Sequence, residues 1–194
     1  MQEAALSDLS LFFRQFLRRP SEIRAIAPTG NATAREMARA VTPEMASVAE
    51  IGAGTGTITR AILGRGLPPE RLELYELNAA FCARLRERFP AVTVHNLPAQ
   101  EMVNVGRGPF DAVVSGVPTL PMPDELQASI VGAALQMMKP GAPFVQITYG
   151  PVAPLSEAVR KRFGLSHMKS PRIWSNLPPA RVYIFRQSRA WCQD

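Results

Sequence analysis

Three glycines lie at alternate positions, Gly52, Gly54 and Gly56, and their spacing is the clearest indication of a functional site in this sequence. They follow a predicted strand that ends at Glu50 and Ile51, and they open a predicted helix. Glycine lets the backbone turn sharply and approach a ligand closely, where a Cβ atom would collide. Doubly wound sheets bind nucleotides at the carboxyl end of the first parallel strand. The segment therefore predicts a nucleotide-like ligand.

An acidic residue in the right place supports this interpretation. Glu76 ends the second predicted strand, 20 residues after Gly56, where its carboxylate can accept both hydroxyls of an adenosine ribose. The GxGxG spacing fits the dinucleotide pattern GxGxxG poorly, because Thr57 follows Gly56. A Gly-Lys-Ser/Thr phosphate loop is also absent from the sequence. These residues favour an adenosine ligand that is not a dinucleotide.

The elements that must position these residues alternate between strand and helix, which is typical of a parallel sheet with crossover helices. The predicted strands are residues 47–51, 72–76, 92–95, 112–115 and 144–148, and the predicted helices are 32–41 (capped by Asn31), 57–64, 79–88, 124–138 and 155–163. Extended segments 167–174 and 180–186, joined by a turn at Pro178 and Pro179, predict a terminal antiparallel hairpin. We therefore predict an α/β fold with a seven-stranded, mostly parallel sheet.

Composition excludes several classes. Of the 194 residues, 46% are hydrophobic and 20% charged, which excludes a disordered chain, a collagen-like repeat and a coiled coil. No apolar run approaches the roughly 20 residues of a transmembrane helix, and no secretory signal is recognisable, so we expect a cytoplasmic protein. Two isolated cysteines and two isolated histidines predict neither a disulfide framework nor a metal site.

The charge is uneven. The net charge is +6, divided as +2 over residues 1–40, −2 over 41–154 and +6 over 155–194, so we expect a polyanionic partner. Residues 4–19 have the periodicity of an amphipathic helix, which suits either a membrane surface or packing on the protein's own sheet. The residues predicted to contact a membrane are Leu9, Phe13 and Phe16 on the apolar stripe and Arg14, Arg18 and Arg19 beside it.

The glycine segment resembles the first motif of class I S-adenosylmethionine-dependent methyltransferases, E/D-x-G-x-G-x-G, and the seven predicted strands with a terminal hairpin also match their Rossmann-like sheet. The resemblance covers residues 45–187. It implies that the cofactor is S-adenosylmethionine, which leaves as S-adenosylhomocysteine. It also implies that Glu50 and the three glycines form the first motif, and that Glu76 with Leu77 holds the ribose. The adenine contact falls in the turn after the third strand, at Ala99 and either Gln100 or Glu101.

Four segments together look like the peripheral branch of bacterial phospholipid N-methyltransferases: residues 25–29, 50–56, 115–118 and 146–151. This resemblance implies three methyl transfers that convert phosphatidylethanolamine to phosphatidylcholine at the inner face of the cytoplasmic membrane. It implies one domain, with residues 1–43 as membrane-binding or substrate-capping helices and 44–187 as the core, and we expect a monomer. It also implies that Thr29 and Ser115 lie in the cofactor site and that Trp174 contacts substrate or membrane.

The chemistry of amine methylation points to Tyr149. An ethanolamine ammonium, with a pKa of about 10, must lose a proton before it attacks. Tyr149 ends the fifth predicted strand, where it can hydrogen-bond or relay that proton while Ser115 or Gly116 orients the amine; it can equally be an ordinary strand-end aromatic. The segment Ser115-Gly116-Val117-Pro118 lacks the Asn/Asp and the aromatic residue of many amino-group methyltransferases. Two alternatives stay open: an rRNA or DNA adenine N6-methyltransferase, and a non-catalytic membrane-binding protein.

Overall fold

The computed structural model describes residues 29–188. Seven strands form one sheet: β1 (Val48–Ile51), β2 (Leu72–Tyr75), β3 (Thr93–His95), β4 (Ala112–Ser115), β5 (Phe144–Thr148), β6 (Leu165–Lys169) and β7 (Arg181–Gln187). Their order is β3-β2-β1-β4-β5-β7-β6. All neighbours up to β5 pair in parallel, and β7 runs antiparallel to both β5 and β6. The predicted seven-stranded α/β fold is confirmed.

Six α-helices are described: α1 (Asn31–Ala38), α2 (Thr57–Leu63), α3 (Ala79–Arg88), α4 (Met102–Val105), α5 (Asp124–Gln136) and α6 (Glu157–Arg162). Two 3₁₀ turns cover Pro69–Arg71 and Ala99–Glu101. Helix α1 starts one residue earlier than predicted, because Gly30 takes the N-cap position. Asn31 is therefore not the cap, and its Oδ1 accepts a hydrogen bond from Arg60 instead.

Apolar side chains cover both faces of the sheet. Helices α1, α2 and α3 pack on one face through residues such as Met37 and Ile62, while α4, α5 and α6 pack on the other through residues such as Ile130. Strands β1, β2, β4 and β5 are buried along their whole length. A sheet covered on both faces buries its central strands in this way, and each fully buried large apolar side chain contributes roughly 1.5–3 kcal/mol.

The terminal hairpin differs from the prediction. Its strands are shorter or shifted, and residues 170–180 form a long loop in which Ile173 and Ala180 make one isolated bridge. Proline occupies positions 171, 178 and 179 and cannot donate to a strand ladder. Since Arg181 pairs with Thr148 at the end of β5, this loop lies at the carboxyl edge of the parallel strands.

A buried carboxylate fixes the strands beside the glycine loop. Glu73 on β2 accepts hydrogen bonds from the Tyr75 hydroxyl at 2.9 Å and from Arg107 Nε at 3.0 Å, and it contacts His95 Nε2 at 3.0 Å. Burial raises the pKa of Glu73, but these hydrogen bonds outweigh burial and hold the pKa below its ordinary value. The network ties β2 to β3 and to the segment before β4.

Candidate active site

The glycine loop joins β1 to α2 at the carboxyl edge of the sheet. Gly52, Gly54 and Gly56 have φ angles of 70°, 52° and 78°, in the left-handed region that favours glycine. A Cβ atom on Gly52 would lie 2.8 Å from Val117 Cγ2, and one on Gly56 would lie 2.7 Å from the Phe89 ring. At Gly54 a Cβ atom would meet nothing within 4 Å among residues 29–188. Two of the glycines therefore permit close packing, and the third leaves the backbone open to a ligand.

Glu76 lies directly behind this loop. Its Oε2 accepts a hydrogen bond from the Gly54 backbone N–H at 2.8 Å, and its Oε1 accepts one from the Asn78 N–H at 2.8 Å. The Asn96 amide donates to the backbone carbonyls of Glu76 and Leu77, at 3.0 and 2.9 Å. An ionised carboxylate has about four lone-pair sites, so Glu76 keeps acceptor capacity while it holds the loop.

In the turn after β3, burial distinguishes Gln100 from Glu101, the two polar residues that the sequence left as alternatives for the adenine contact. Ala99 is buried, and Gln100 is partly buried with an Oε1 atom that is shielded from solvent and has no hydrogen-bond partner among the described residues. The neighbouring Glu101 is exposed. Gln100 thus presents an acceptor that needs a donor, since an unpaired buried oxygen costs about 1–3 kcal/mol.

Among the acids at this edge, Glu50 has the most strongly shifted pKa. Its side chain is completely buried on β1, where Oε2 accepts a hydrogen bond from the Thr59 hydroxyl at 2.7 Å. The other oxygen, Oε1, has no partner within residues 29–188. Burial raises the pKa of Glu50 from 4.5 to about 8, the Thr59 hydrogen bond opposes the rise, and the negative charge of Glu76 adds to it. Glu50 is therefore mostly protonated at neutral pH.

The loop after β4 packs directly on the glycine loop. The Gly116 N–H donates to the Ile51 carbonyl at 2.8 Å, and a Cβ atom on Gly116 would lie 2.7 Å from the Gly52 carbonyl oxygen. Ser115 is buried, and its hydroxyl accepts a long hydrogen bond of 3.4 Å from the Val117 N–H. We call residues 116–123, the loop after β4, the acceptor loop. It is thus adjacent to the glycine loop, and the Ser115 hydroxyl faces it.

Two buried amides that sequence reasoning missed hold this acceptor loop. Gln146 Nε2 on β5 donates to the Val117 carbonyl at 2.6 Å, while its Oε1 lacks a partner in the described part of the chain. Gln127 Nε2 on α5 donates to the carbonyls of Thr119 and Met122 at 3.1 and 3.0 Å. The available signal was a glutamine in an otherwise apolar strand, FVQIT, and another on the apolar side of a helix.

Tyr149 follows β5 and is half-buried. Its hydroxyl lies 3.3 Å from the Thr29 hydroxyl. Burial raises the pKa of Tyr149 above its ordinary value, although the Thr29 hydrogen bond opposes the rise, so the phenol stays protonated at neutral pH. The structure thus brings Thr29 to Tyr149.

The residues predicted to meet a membrane are only partly described. Trp174 is exposed in the loop 170–180, with the Arg172 guanidinium 5.6 Å from its ring centroid. The apolar residues Leu9, Phe13 and Phe16 and the basic residues Arg14, Arg18 and Arg19 lie outside the described residues. Between residues 29 and 188, no helix is both long and apolar enough to cross a bilayer. The same residues include no group of three or more His, Cys, Asp or Glu side chains arranged to hold a metal ion.

Comparison with known proteins agrees with this geometry. Residues 48–141 match the family described as "Methyltransferase domain". Over 191 residues, the chain is 31% identical to an ornithine lipid N-methyltransferase of Singulisphaera acidiphila, an alignment that covers 93% of this chain and 97% of the relative.

Solved structures of methyltransferases share the fold. The N-methyltransferase NodS from Bradyrhizobium japonicum, in complex with S-adenosylhomocysteine, superposes with a TM-score of 0.66 and 14% identity, covering 84% of this chain and 89% of that chain. An amino pentose methyltransferase from Micromonospora echinaspora, with S-adenosylmethionine bound, superposes with a TM-score of 0.59 and 16% identity, covering 85% and 95%.

The described residues fit the same cofactor. The open backbone at Gly54 leaves space for a ligand, Glu76 has lone pairs for hydroxyl groups, and the Gln100 oxygen can accept from an exocyclic amine. These groups lie at the strand ends where doubly wound sheets bind nucleotides. The chain therefore belongs to the class I S-adenosylmethionine-dependent methyltransferases and uses S-adenosylmethionine as its cofactor.

Proposed function

We propose that this enzyme N-methylates phosphatidylethanolamine at a membrane surface, first to the monomethyl and dimethyl lipids and then to phosphatidylcholine. The observation that carries the proposal is the 31% identity, over almost the whole of both chains, to a protein named for N-methylation of a lipid. The sequence segments that resemble phospholipid N-methyltransferases support the choice of headgroup. Phosphatidylethanolamine and ornithine lipid both present a primary amine on a lipid headgroup.

We assign the cofactor contacts from the geometry. The loop formed by Gly52, Gly54 and Gly56 would hold the methionine part, with the open backbone at Gly54 facing it, and the lone pairs of Glu76 would accept from the ribose hydroxyls. Gln100 is a better adenine contact than Glu101, because its buried oxygen needs a donor while Glu101 faces solvent. The two apolar neighbours, Leu77 and Ala99, contribute to the walls of the cofactor site.

When bound, S-adenosylmethionine supplies an electrophilic methyl group; the protein must orient the amine, take up its proton and exclude water. Tyr149 is a neutral phenol, so its oxygen can accept a hydrogen bond from the headgroup ammonium. In a relay, the phenol takes the ammonium proton as it gives its own proton to the Thr29 hydroxyl 3.3 Å away, and Thr29 releases its proton to solvent water. On this proposal Thr29 serves the acceptor side rather than the cofactor. The Thr29–Tyr149 pair would form the first link of a proton relay.

Ser115 is proposed to act by position. Because its hydroxyl is buried and bonded to the Val117 N–H, it shapes the acceptor loop beside the glycine loop, and the amine meets the loop backbone near Gly116. Gln146 supports the same loop from β5 through the Val117 carbonyl. We propose both as positioning residues, and Tyr149 as the residue that contacts the amine.

We further propose that the enzyme works as a monomer bound peripherally to the inner face of the cytoplasmic membrane. The net charge of +6 favours an anionic surface, where each Lys or Arg close to the lipid contributes about 1 kcal/mol. A second candidate substrate is ornithine lipid, favoured by the name of the relative. An adenine methyltransferase has less support, because residues 115–118 lack both the Asn/Asp and the aromatic side chain of that motif.

The test is transfer of a labelled methyl group to vesicles that contain phosphatidylethanolamine, ornithine lipid or neither, with rRNA in a fourth reaction. We expect label in the mono-, di- and trimethylated products of phosphatidylethanolamine, separated by chromatography and identified by mass. Label found only in ornithine lipid would replace the headgroup assignment and leave lipid N-methylation in place. Label found only in rRNA would overturn the lipid proposal altogether.

A further inference from the structure

Three loops meet at the carboxyl edge of the sheet around the acceptor side of the site. They are residues 116–123 after β4, residues 149–156 after β5 and residues 170–180 between β6 and β7. The first two contact each other, because a Cβ atom on Gly150 would overlap the Leu120 side chain. The third adjoins the second, because Thr148, just before the second loop, pairs with Arg181, just after the third. Tyr149, the proposed amine contact, belongs to the second loop. Whatever covers these loops therefore lies over the entrance for the methyl acceptor.

These loops expose large apolar side chains. Leu120 is 40% exposed, Val152 57%, Trp174 73% and Leu177 87%. We name these four residues the acceptor rim. Apolar groups of this size in water are unfavourable, and a group of them beside a binding site marks an interaction surface.

The most exposed part of the acceptor rim is held firmly. Asn176, between Trp174 and Leu177 in sequence, is only 3% exposed. Its Oδ1 accepts from the Gly30 N–H at 2.8 Å and the Thr33 hydroxyl at 3.0 Å, and its Nδ2 donates to the Pro178 carbonyl at 2.8 Å. Anchoring Asn176 inward leaves its two apolar neighbours facing solvent, so their exposure is built into the loop.

The charge of the three loops suits a phosphate-bearing surface. Arg172 is their one ionisable side chain apart from Tyr149, and its guanidinium lies 5.6 Å from the Trp174 ring centroid. The nearest acids in sequence, Asp124 and Glu157, begin the helices that follow, and Glu157 pairs with Lys161 at 2.8 Å. A Trp beside an Arg matches the boundary between acyl chains and headgroups, where an amphipathic ring and a cation both find partners.

We infer that the acceptor rim docks on the surface of a phospholipid bilayer, with Trp174 and Leu177 at the acyl boundary and Arg172 at the phosphates. The inference rests on the proposed lipid substrate and adds the surface by which the site reaches it. A protein partner or second copy seated here would cover the acceptor entrance, whereas a bilayer would deliver the headgroup into it. Docking in this orientation places Tyr149 over the headgroup layer.

The experiment uses the full chain and vesicles of phosphatidylglycerol and phosphatidylcholine, which offer no amine acceptor. The sequence has two tryptophans, so Trp191→Phe leaves Trp174 as the reporter. We expect its emission to shift to shorter wavelength on vesicles and to be quenched by lipids brominated in the upper acyl chain. Vesicle binding with no change in Trp174 emission would overturn the inference.

A double variant, Trp174→Ser with Leu177→Ser, measures the contribution of the rim. We expect vesicle affinity to fall about tenfold or more, because two large apolar side chains no longer insert. Met168→Ser is the matched control, since Met168 is 64% exposed on β6, outside the three loops. Cofactor affinity in solution should be equal in all variants. Unchanged vesicle affinity of the double variant, or a dimer that it dissociates, would contradict bilayer docking.

Failure of this inference is distinguishable from failure of the proposed function. If the acceptor rim docks but no lipid amine is methylated, the substrate assignment is wrong and the docking surface stands. The wild type and the double variant could methylate detergent-dispersed lipid amine equally, while neither the Trp174 emission nor the vesicle affinity indicates docking. In that case the docking inference is wrong and the proposed function stands.

Discussion

Glu50 gives the strongest test of the electrostatics of the site. Its carboxyl is fully buried, and burial raises its pKa to about 8, against 4.5 in an exposed chain. Between pH 4.5 and about pH 8, the folded protein therefore keeps a proton on Glu50 that the unfolded chain has released. Linkage then requires the contribution of Glu50 to stability to be greatest below pH 4.5 and to fall as the pH rises to about 8. Glu50→Gln removes the titration while it keeps an oxygen to accept the Thr59 hydrogen bond.

The magnitude follows from the two pKa values. Each pH unit between them costs about 1.4 kcal/mol of unfolding free energy, so this carboxyl removes about 3 kcal/mol between pH 6 and pH 9. Other groups titrate in the same range, but they are common to wild type and variant. The difference in unfolding free energy between the two proteins therefore isolates Glu50 and should change by about 3 kcal/mol in favour of the variant.

Urea denaturation at pH 6 and pH 9, followed by circular dichroism, measures that difference directly. Glu87→Gln, at an exposed position on α3, controls for the loss of one carboxylate at the surface. We expect the pH profile of the control to follow that of the wild type. If the wild type and Glu50→Gln instead lose stability in parallel from pH 6 to pH 9, Glu50 is ionised in the folded protein and the argument from burial is refuted.

Three further predictions concern the cofactor and the acceptor. Gly54→Ala and Gly141→Ala should each cost about 1 kcal/mol of stability, because both glycines have positive φ and open surroundings, but only Gly54→Ala should also weaken cofactor binding in calorimetry; equal affinities would remove Gly54 from the site. Gln100→Leu should raise the cofactor Kd about tenfold while Glu101→Gln leaves it unchanged, and the reverse order would exchange their roles. Tyr149→Phe should lower kcat about tenfold or more with the cofactor Kd unchanged; a wild-type kcat would exclude Tyr149 from the proton path.

The parts of the fold that were predicted correctly are encoded locally. Strands β4 and β5 and helix α3 have their predicted bounds, since each is a short run whose apolar pattern and flanking residues mark it. The glycine loop was recognisable because positive φ angles at close spacing require glycine. These features depend on residues that are neighbours in the sequence, so one amino-acid sequence is enough to predict them.

The residues that hold the acceptor loop and the loop 170–180 were missed for a physical reason. Gln146 reaches Val117 across 29 residues, and Asn176 reaches Gly30 across 146 residues. No periodicity reports such pairs, because each depends on where the sheet places distant segments. Gln100 and Glu101 stayed equivalent for a related reason: both offer an oxygen, and only burial separates them.

The antiparallel β7 has a practical consequence for work with this enzyme. Since β7 starts beside the end of β5 and finishes beside Leu165 at the start of β6, the chain leaves the described structure at Ser188, on the side of the sheet away from the glycine loop. Thr29, in contrast, lies beside Tyr149. A purification tag or a surface linkage attached after Ser188 therefore starts at the edge of the sheet away from the glycine loop and leaves the proposed acceptor entrance clear, whereas a fusion close to Thr29 starts at that proposed entrance.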